Sequence, residues 1–360
     1  MITDTARNNR VQSLDWIRGL MALAIMLYHY LGSHNVELPI GRIGIYGVST
    51  FFVLSGISMA IAYDGYISSI KSAGTYMLRR IFRILPLLWV AISAVLIPTL
   101  IYEMPHPSLR TILLNYACIF GFISPADTIN TGAWSIGSEM VYYTLSIFLI
   151  PLYSWRKTLG NIAVVLTWGI ALLYSCVLLD SNVSLNHQWP TYVNPLNNLY
   201  LYATGVCLYY NRATLSTPRL QSLVALCVLA FVFVAYPVSG DQITIVTGFP
   251  RVLFSLICIA VCWLGLNSPP AKPSRIGALL ETLGTYSYSV YLLHPITYLM
   301  VGRLFKSIGI ANNLTLLSVS LVSTLAASAL AYKTVERPMI QLGKRFAKRI
   351  EDLGAAAKQS

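Results

Sequence analysis

Apolar residues are gathered into long blocks separated by short polar stretches, and several blocks reach the roughly 20 residues that a helix needs to cross about 30 Å of hydrocarbon. Blocks begin near Leu14, Ile43, Ile84, Leu109, Ala133, Ile162, Leu196, Leu220, Ile243, Leu283 and Asn313. The fourth, TILLNYACIFGFI, is too short to cross at about 1.5 Å per residue and reads as a re-entrant or interfacial helix. The pattern predicts an all-α, polytopic transmembrane helix bundle of about ten spans plus that one short helix.

Composition agrees: 56% of residues are hydrophobic, 11% are charged, and the mean hydropathy is +0.64. The net charge of +12 is scattered over short loops, which points to membrane topology rather than nucleic-acid binding. With both termini cytoplasmic, 20 of the 25 basic residues collect on the inner side and only Arg42, Arg110, Arg251, Arg303 and Lys306 fall outside. If the short block spanned, every basic residue after it would change sides and the bias would vanish. The first block is expected to stay as an anchor, because Asp15 and Arg18 interrupt it and no small-residue cleavage site follows.

The expected organisation is a cytoplasmic amino-terminal segment (1–12), a transmembrane domain (13–335) and a basic cytoplasmic tail (336–360), without internal repeats. In the tail, Lys344, Arg345, Lys348 and Arg349 sit on an amphipathic helix that either meets anionic lipid or is simply a solvated helix end. The six cysteines, Cys118, Cys176, Cys207, Cys227, Cys258 and Cys262, all lie in apolar stretches and read as small packing residues. Cys258 and Cys262 are four apart, but no His or carboxylate joins them, so no metal site is expected.

Charged groups inside a bilayer are costly and mark pathways or reaction sites. Arg18 and His29 share the first block, SLDWIRGLMALAIMLYHYLG, with ten residues between them. On a helix that interval puts both on one face, roughly 16 Å apart along the axis. In YMLRRIFRILPLLW, Arg79, Arg80 and Arg83 have i, i+3 and i, i+4 spacing, so a helix beginning there shows them on adjoining faces at its inner mouth. They are either a bidentate phosphate clamp or an ordinary inner anchor. In GAWSIGSEMVYY, Trp134, Ser135 and Glu139 open a span. Glu139 either orients an imidazole or pairs with an arginine, and Ser135 and Ser138 lack the context of a nucleophile elbow. In LGTYSYSVYLLHPI, Tyr288, Tyr291 and His294 line one face of a helix ended by Pro295, as oxyanion donors, a sugar platform or an aromatic belt. Gly47, Ser49, Ser55, Gly56 and Ser58 in the second block suit close helix packing first and substrate contact second. His34, His106 and His187 fall in loops without an evident partner.

Taken together, these segments resemble the acyltransferase 3 family of bacterial membrane O-acyltransferases over nearly the whole chain. LDWIRG followed by His29 is similar to that family's Arg, ten residues, His motif, and FFVLSG to its second-span signature. RRIFRILPLLW resembles its R-x-x-R segment, WSIGSEMVYY its tryptophan and glutamate segment, YSYSVYLLHP its tyrosine and histidine segment, and VERP its closing motif. Ile57 and Ser58 follow FFVLSG where an aromatic is common, a minor departure. The resemblance implies transfer of an acyl group, usually acetyl, from cytoplasmic acyl-CoA to carbohydrate on or beyond the outer face of the bacterial inner membrane. It implies His29 as catalytic histidine and Arg18, Arg80 and Arg83 as functional arginines.

The mechanism expected on that basis has the arginines holding the coenzyme's phosphates while its arm reaches His29. His29 then acts as general base on a sugar hydroxyl, with a transient acyl-imidazole as the competing route. Glu139 stabilises the imidazolium, and Tyr288 or His294 donates to the oxyanion. Acetyl-CoA enters as co-substrate and no cofactor is held permanently. Some relatives carry an extra esterase-like domain, which this chain is expected to lack, so a polysaccharide-biosynthesis partner would supply any second step. The rival class is a carrier or flippase for lipid-linked sugars, since buried Arg, His and Glu also build transport pathways. A carrier commonly shows repeated halves, which this chain does not. A purely structural scaffold leaves the charges inside the spans unexplained.

Overall fold

A computed structural model describes residues 11–32, 37–101, 105–212, 217–270 and 272–356, and among these the chain is helical without a strand. Arg7, Arg10, His34 and Lys358, with most of the expected amino-terminal segment and the end of the tail, lie outside the described residues. The principal helices are α1 (Gln12–Leu31), α2 (Pro39–Tyr63), α3 (Ile70–Ile101), α4 (Leu109–Tyr116), α5 (Ala133–Trp155) and α6 (Lys157–Leu173). They are followed by α7 (Pro195–Tyr210), α8 (Arg219–Ala235), α9 (Gly248–Asn267), α10 (Arg275–Ser307), α11 (Asn313–Ala331) and α12 (Arg337–Ala356).

Each expected spanning block forms a helix. Among the described residues, six stretches are long and apolar enough to cross a membrane: Pro39–Tyr63, Ile70–Thr99, Ala133–Trp155, Lys157–Leu178, Gly248–Asn267 and Asn313–Leu353. Helices α7 and α8 are shorter, at 16 and 17 residues, whereas α1 and α10 are long but carry polar side chains within them. Leu166 on α6 and Phe231 on α8 are 64% and 72% exposed, a surface that hydrocarbon covers far better than water. The short fourth block is not one helix. After the eight residues of α4, about 12 Å of rise, the chain turns at Cys118, whose φ of 54° is left-handed and breaks the hydrogen-bond ladder.

Three local expectations need correcting. The arginine helix does not begin at the arginines. The Ser69 hydroxyl accepts from the Ser72 amide at 3.1 Å and caps α3 at Ile70, so Arg79, Arg80 and Arg83 lie in its third and fourth turns. Pro295 does not end its helix: α10 runs on to Ser307, and beside the proline, where a helix loses a backbone donor, the Leu292 carbonyl accepts from the Asn130 side chain at 3.0 Å. Cys118, Cys258 and Cys262 are buried packing residues, but Cys176 and Cys227 are exposed on outer helix surfaces, where a small, weakly polar thiol suits an apolar surrounding.

The chain divides into two compact units, Met1–Asp64 with Phe148–Ser287, and Gly65–Ile147 with Tyr288–Ser360. In the first, α2 packs against α7 at backbone distance: a Cβ on Gly56 would lie 2.1 Å from the Tyr202 carbonyl oxygen, and one on Gly205 2.2 Å from that of Val53. The start of α10 crosses α1 equally closely, with Gly284 against the Asp15 carbonyl. In the second unit, α12 packs along α3, where Gly343 faces the Phe82 side chain and the Phe82 and Phe346 rings lie 5.8 Å apart.

Candidate functional site

In the first unit, α1 is uninterrupted from Gln12 to Leu31, so Arg18 and His29 keep their eleven-residue interval, roughly 16 Å of helix. The Arg18 guanidinium pairs with Asp15 at 2.6 Å, one turn earlier on the same helix, and donates to the Ser58 hydroxyl on α2. His29 is half-buried, with its Nδ1 3.0 Å from the Ile25 carbonyl oxygen. A carbonyl can only accept, so Nδ1 carries the hydrogen, and in the neutral ring the basic lone pair sits on Nε2. The Tyr28 ring meets His29 edge-on at 4.9 Å, and the Tyr28 hydroxyl accepts from Gln242 at 2.8 Å.

In the second unit the α3 arginines face three environments. Arg79 pairs with Glu351 of α12 at 3.0 Å and lies over the Tyr66 ring at 4.8 Å. Arg83 approaches the buried Glu336 at 3.6 Å, and the other oxygen of Glu336 accepts from Ser289 at 2.9 Å. Arg80 lies 6.0 Å from the centre of the Tyr143 ring. The Tyr143 hydroxyl donates to Glu139 at 3.0 Å, so Arg80 and Glu139 meet the same aromatic side chain.

The aromatic face of α10 is tied to backbone. Tyr288 donates to the Ile84 carbonyl at 2.8 Å, and Tyr291 donates to the Gly132 carbonyl at 3.0 Å and lies 2.8 Å from the Ser135 hydroxyl. Trp134 and Ser138 are buried nearby in sequence on α5. His294 is 1% exposed, with Nδ1 3.1 Å from the Val290 carbonyl. It shares the tautomer of His29 but not its exposure. Of the loop histidines, His187 meets the Ser184 hydroxyl at 2.9 Å and His106 is exposed. Among the described residues no three His, Cys, Asp or Glu side chains gather as a metal site.

A family model described as an acyltransferase domain matches residues 11–333. The chain belongs to the acyltransferase 3 family. It is similar to "Putative acetyltransferase ORF330" of Acidianus two-tailed virus, 24% identical over 310 residues that cover 85% of this chain and 89% of the relative. It is also similar to "Exopolysaccharide production protein ExoZ" of Rhizobium meliloti (strain 1021), at 25% over 89% of this chain and 96% of the relative. "Nodulation protein 10" of Rhizobium leguminosarum bv. viciae is 23% identical over 93% of this chain and 94% of the relative. No solved structure matches the chain. This member of the acyltransferase 3 family is a membrane protein, all-helical among the described residues.

Sequence reasoning on this acyltransferase missed the partners of its charged groups. Asp15 stands three residues before Arg18, and Tyr143 four residues after Glu139; both spacings place side chains together on a helix. Ser58, Glu336 and Glu351 gave no local signal, because each meets its arginine through tertiary packing.

Proposed function

We propose that this acyltransferase moves an acetyl group from cytoplasmic acetyl-CoA to a hydroxyl of an extracytoplasmic or lipid-linked carbohydrate in the bacterial cytoplasmic membrane, from a ten-span topology with both termini inside. The names of its relatives, an acetyltransferase and an exopolysaccharide production protein, support acetyl as the group and carbohydrate as the acceptor. One observation carries the chemistry: the bond from Nδ1 of His29 to the Ile25 carbonyl leaves Nε2 as the base.

In this reading Nε2 of His29 takes the proton of the sugar hydroxyl as its oxygen attacks the thioester carbonyl. The tetrahedral intermediate collapses by breaking the carbon–sulfur bond, and the departing thiolate recovers the proton from the imidazolium. Arg80 and Arg83 bind the coenzyme's phosphates, Arg79 supports them, and Arg18 is a further cation for the donor. Glu139 holds Tyr143 and with it Arg80. Trp134, Tyr288, Tyr291 and His294 shape the acceptor side. Polysaccharide-biosynthesis proteins act as partners upstream or downstream.

Reconstituted vesicles supplied with acetyl-CoA on the cytoplasmic side test this. His29→Ala should lower kcat by about 10²- to 10⁴-fold, the usual contribution of a general base, while thermal unfolding stays unchanged. Arg80→Ala with Arg83→Ala should raise KM for acetyl-CoA and leave that for the acceptor unaltered. Retained turnover in His29→Ala removes His29 from the chemistry, and sugar crossing the membrane without donor identifies a carrier instead.

A further inference from the structure

Helix α12 lies beyond the residues that the family model matches and has no part in the proposed chemistry. Asn313–Leu353 is one helical stretch of 41 residues. At 1.5 Å per residue it is about 60 Å long, twice the roughly 30 Å of a bilayer's hydrocarbon. Its apolar part is α11, whereas α12 carries Lys344, Arg345, Lys348 and Arg349, all exposed. Four cations in under two turns are excluded from hydrocarbon, so α12 lies at or beyond the interface. A π-helical turn, Tyr332–Glu336, separates the two parts.

The surface of α12 divides into three stripes. Gly343 and Ala347 are buried, Gly343 against Phe82 of α3. Beside them Phe346, Ile350 and Leu353 are 41%, 42% and 73% exposed. At 100° per residue these three fall within about 60° of one another, and Arg345 and Arg349 adjoin them, followed by Lys348 and Lys344, with the exposed Asp352 between Arg345 and Lys348. Water penalises the apolar stripe and hydrocarbon the basic one. The boundary of an anionic bilayer satisfies both, with acyl chains under Phe346, Ile350 and Leu353 and headgroup phosphates against the cations.

We propose that α12 is an interfacial helix that binds anionic phospholipid headgroups through Lys344, Arg345, Lys348 and Arg349. Glu351 on the same helix holds Arg79, and its carbonyl accepts from Lys71 at 3.2 Å, so a lipid-anchored α12 straps the start of α3.

The test is amide hydrogen exchange on the full chain in nanodiscs of phosphatidylcholine alone and of phosphatidylcholine mixed equally with phosphatidylglycerol. Amides of residues 344–353 should exchange about tenfold more slowly in the anionic discs, consistent with several basic residues each adding attraction near such a surface. The variant K344Q/R345Q/K348Q/R349Q should lose that difference while α11 keeps its protection, which shows that the protein is folded. Equal exchange in the two discs, or a difference that survives in the variant, overturns the proposal. Slowing of the same size by inorganic phosphate added to detergent-solubilised protein also overturns it, because it identifies a free-anion site.

Discussion

The two units satisfy their arginines in different ways. In the first, Arg42 is 2% exposed and donates to the carbonyls of Phe233, Val234 and Tyr236 at the end of α8. Arg251, 4% exposed, donates to the carbonyls of Asn197 and Val246. In the second, Arg79 and Arg83 face carboxylates, Glu351 and Glu336. The carbonyls at the end of α8 have few other donors, and Arg251 is enclosed by backbone, so both arginines are committed to structure. A carboxylate and a phosphate each offer the guanidinium fork two anionic oxygens, so an arginine paired to one can be traded to the other. Arg18 is the first unit's exception: its partner is the carboxylate of Asp15, and it is also the arginine of that unit with a proposed ligand.

The sharpest way to break this comparison is at Arg83 and Glu336. Removing one member of a buried pair leaves an uncompensated charge and typically costs about 3–5 kcal/mol. The Arg83 side chain is 39% exposed and that of Glu336 0%, so the cost depends on which partner goes. Arg83→Ala strands the buried carboxylate with Ser289 alone and should cost about 3 kcal/mol, at the low end of that range because water reaches the arginine. Glu336→Gln keeps an acceptor for Ser289, leaves the cation near solvent and should cost about 1 kcal/mol. In thermal unfolding in detergent, Arg83→Ala with Glu336→Gln should be more stable than Arg83→Ala alone. Equal losses in the two single variants would mean that the pair is not asymmetric and that the second unit's arginines are as structural as the first's.

The next test sharpens the other side. Arg42→Met keeps apolar volume in α2 but removes a charged donor from three carbonyls at the end of α8. Hydrogen bonds from charged groups are worth about 1.5–3 kcal/mol each net, and a loosened helix end lets most of its carbonyls find other donors, so a loss of about 2 kcal/mol, that of about one such bond, is expected. KM for the acyl donor should not move. A shifted KM with unchanged stability would place Arg42 among the ligand-binding arginines and erase the distinction between the units.

Much of this architecture was legible in the sequence, and what was not has physical causes. The apolar blocks located the helices because burial in a bilayer demands long apolar runs, and the brevity of the fourth block matches the break at Cys118. The shared helix of Arg18 and His29 followed from periodicity alone. The partners did not: Arg79 and Glu351 are 272 residues apart, and no local pattern encodes such a meeting. The Ser69 cap lies well before the arginine cluster and outside its pattern, and Pro295 escapes a rule for soluble helices because neighbouring groups, such as Asn130 at the Leu292 carbonyl, can satisfy the backbone around it. A left-handed φ at Cys118 has no sequence signature, because such turns usually call for glycine or asparagine.

The mildest test lies at the edge of the second unit, where Tyr66 donates to Glu351, meets the Thr75 hydroxyl at 2.8 Å and supports Arg79 with its ring. Tyr66→Phe keeps the ring and removes the hydroxyl, so the loss should be about 1 kcal/mol, one hydrogen bond to a charged acceptor near solvent. Burial first, and then the bond to Glu351, raise the phenol above its ordinary value of 10.0. A group whose folded value is raised contributes stability that is complete below the unfolded value and is lost as pH climbs through the folded one. Wild type should therefore lose stability as pH rises above about 10, and Tyr66→Phe should lose less over the same interval. Because Arg79 keeps both Glu351 and the ring, donor KM should change little. A large KM effect would mean that this carboxylate pairing, unlike the trade proposed for Arg83, fixes the arginine segment in a single binding geometry.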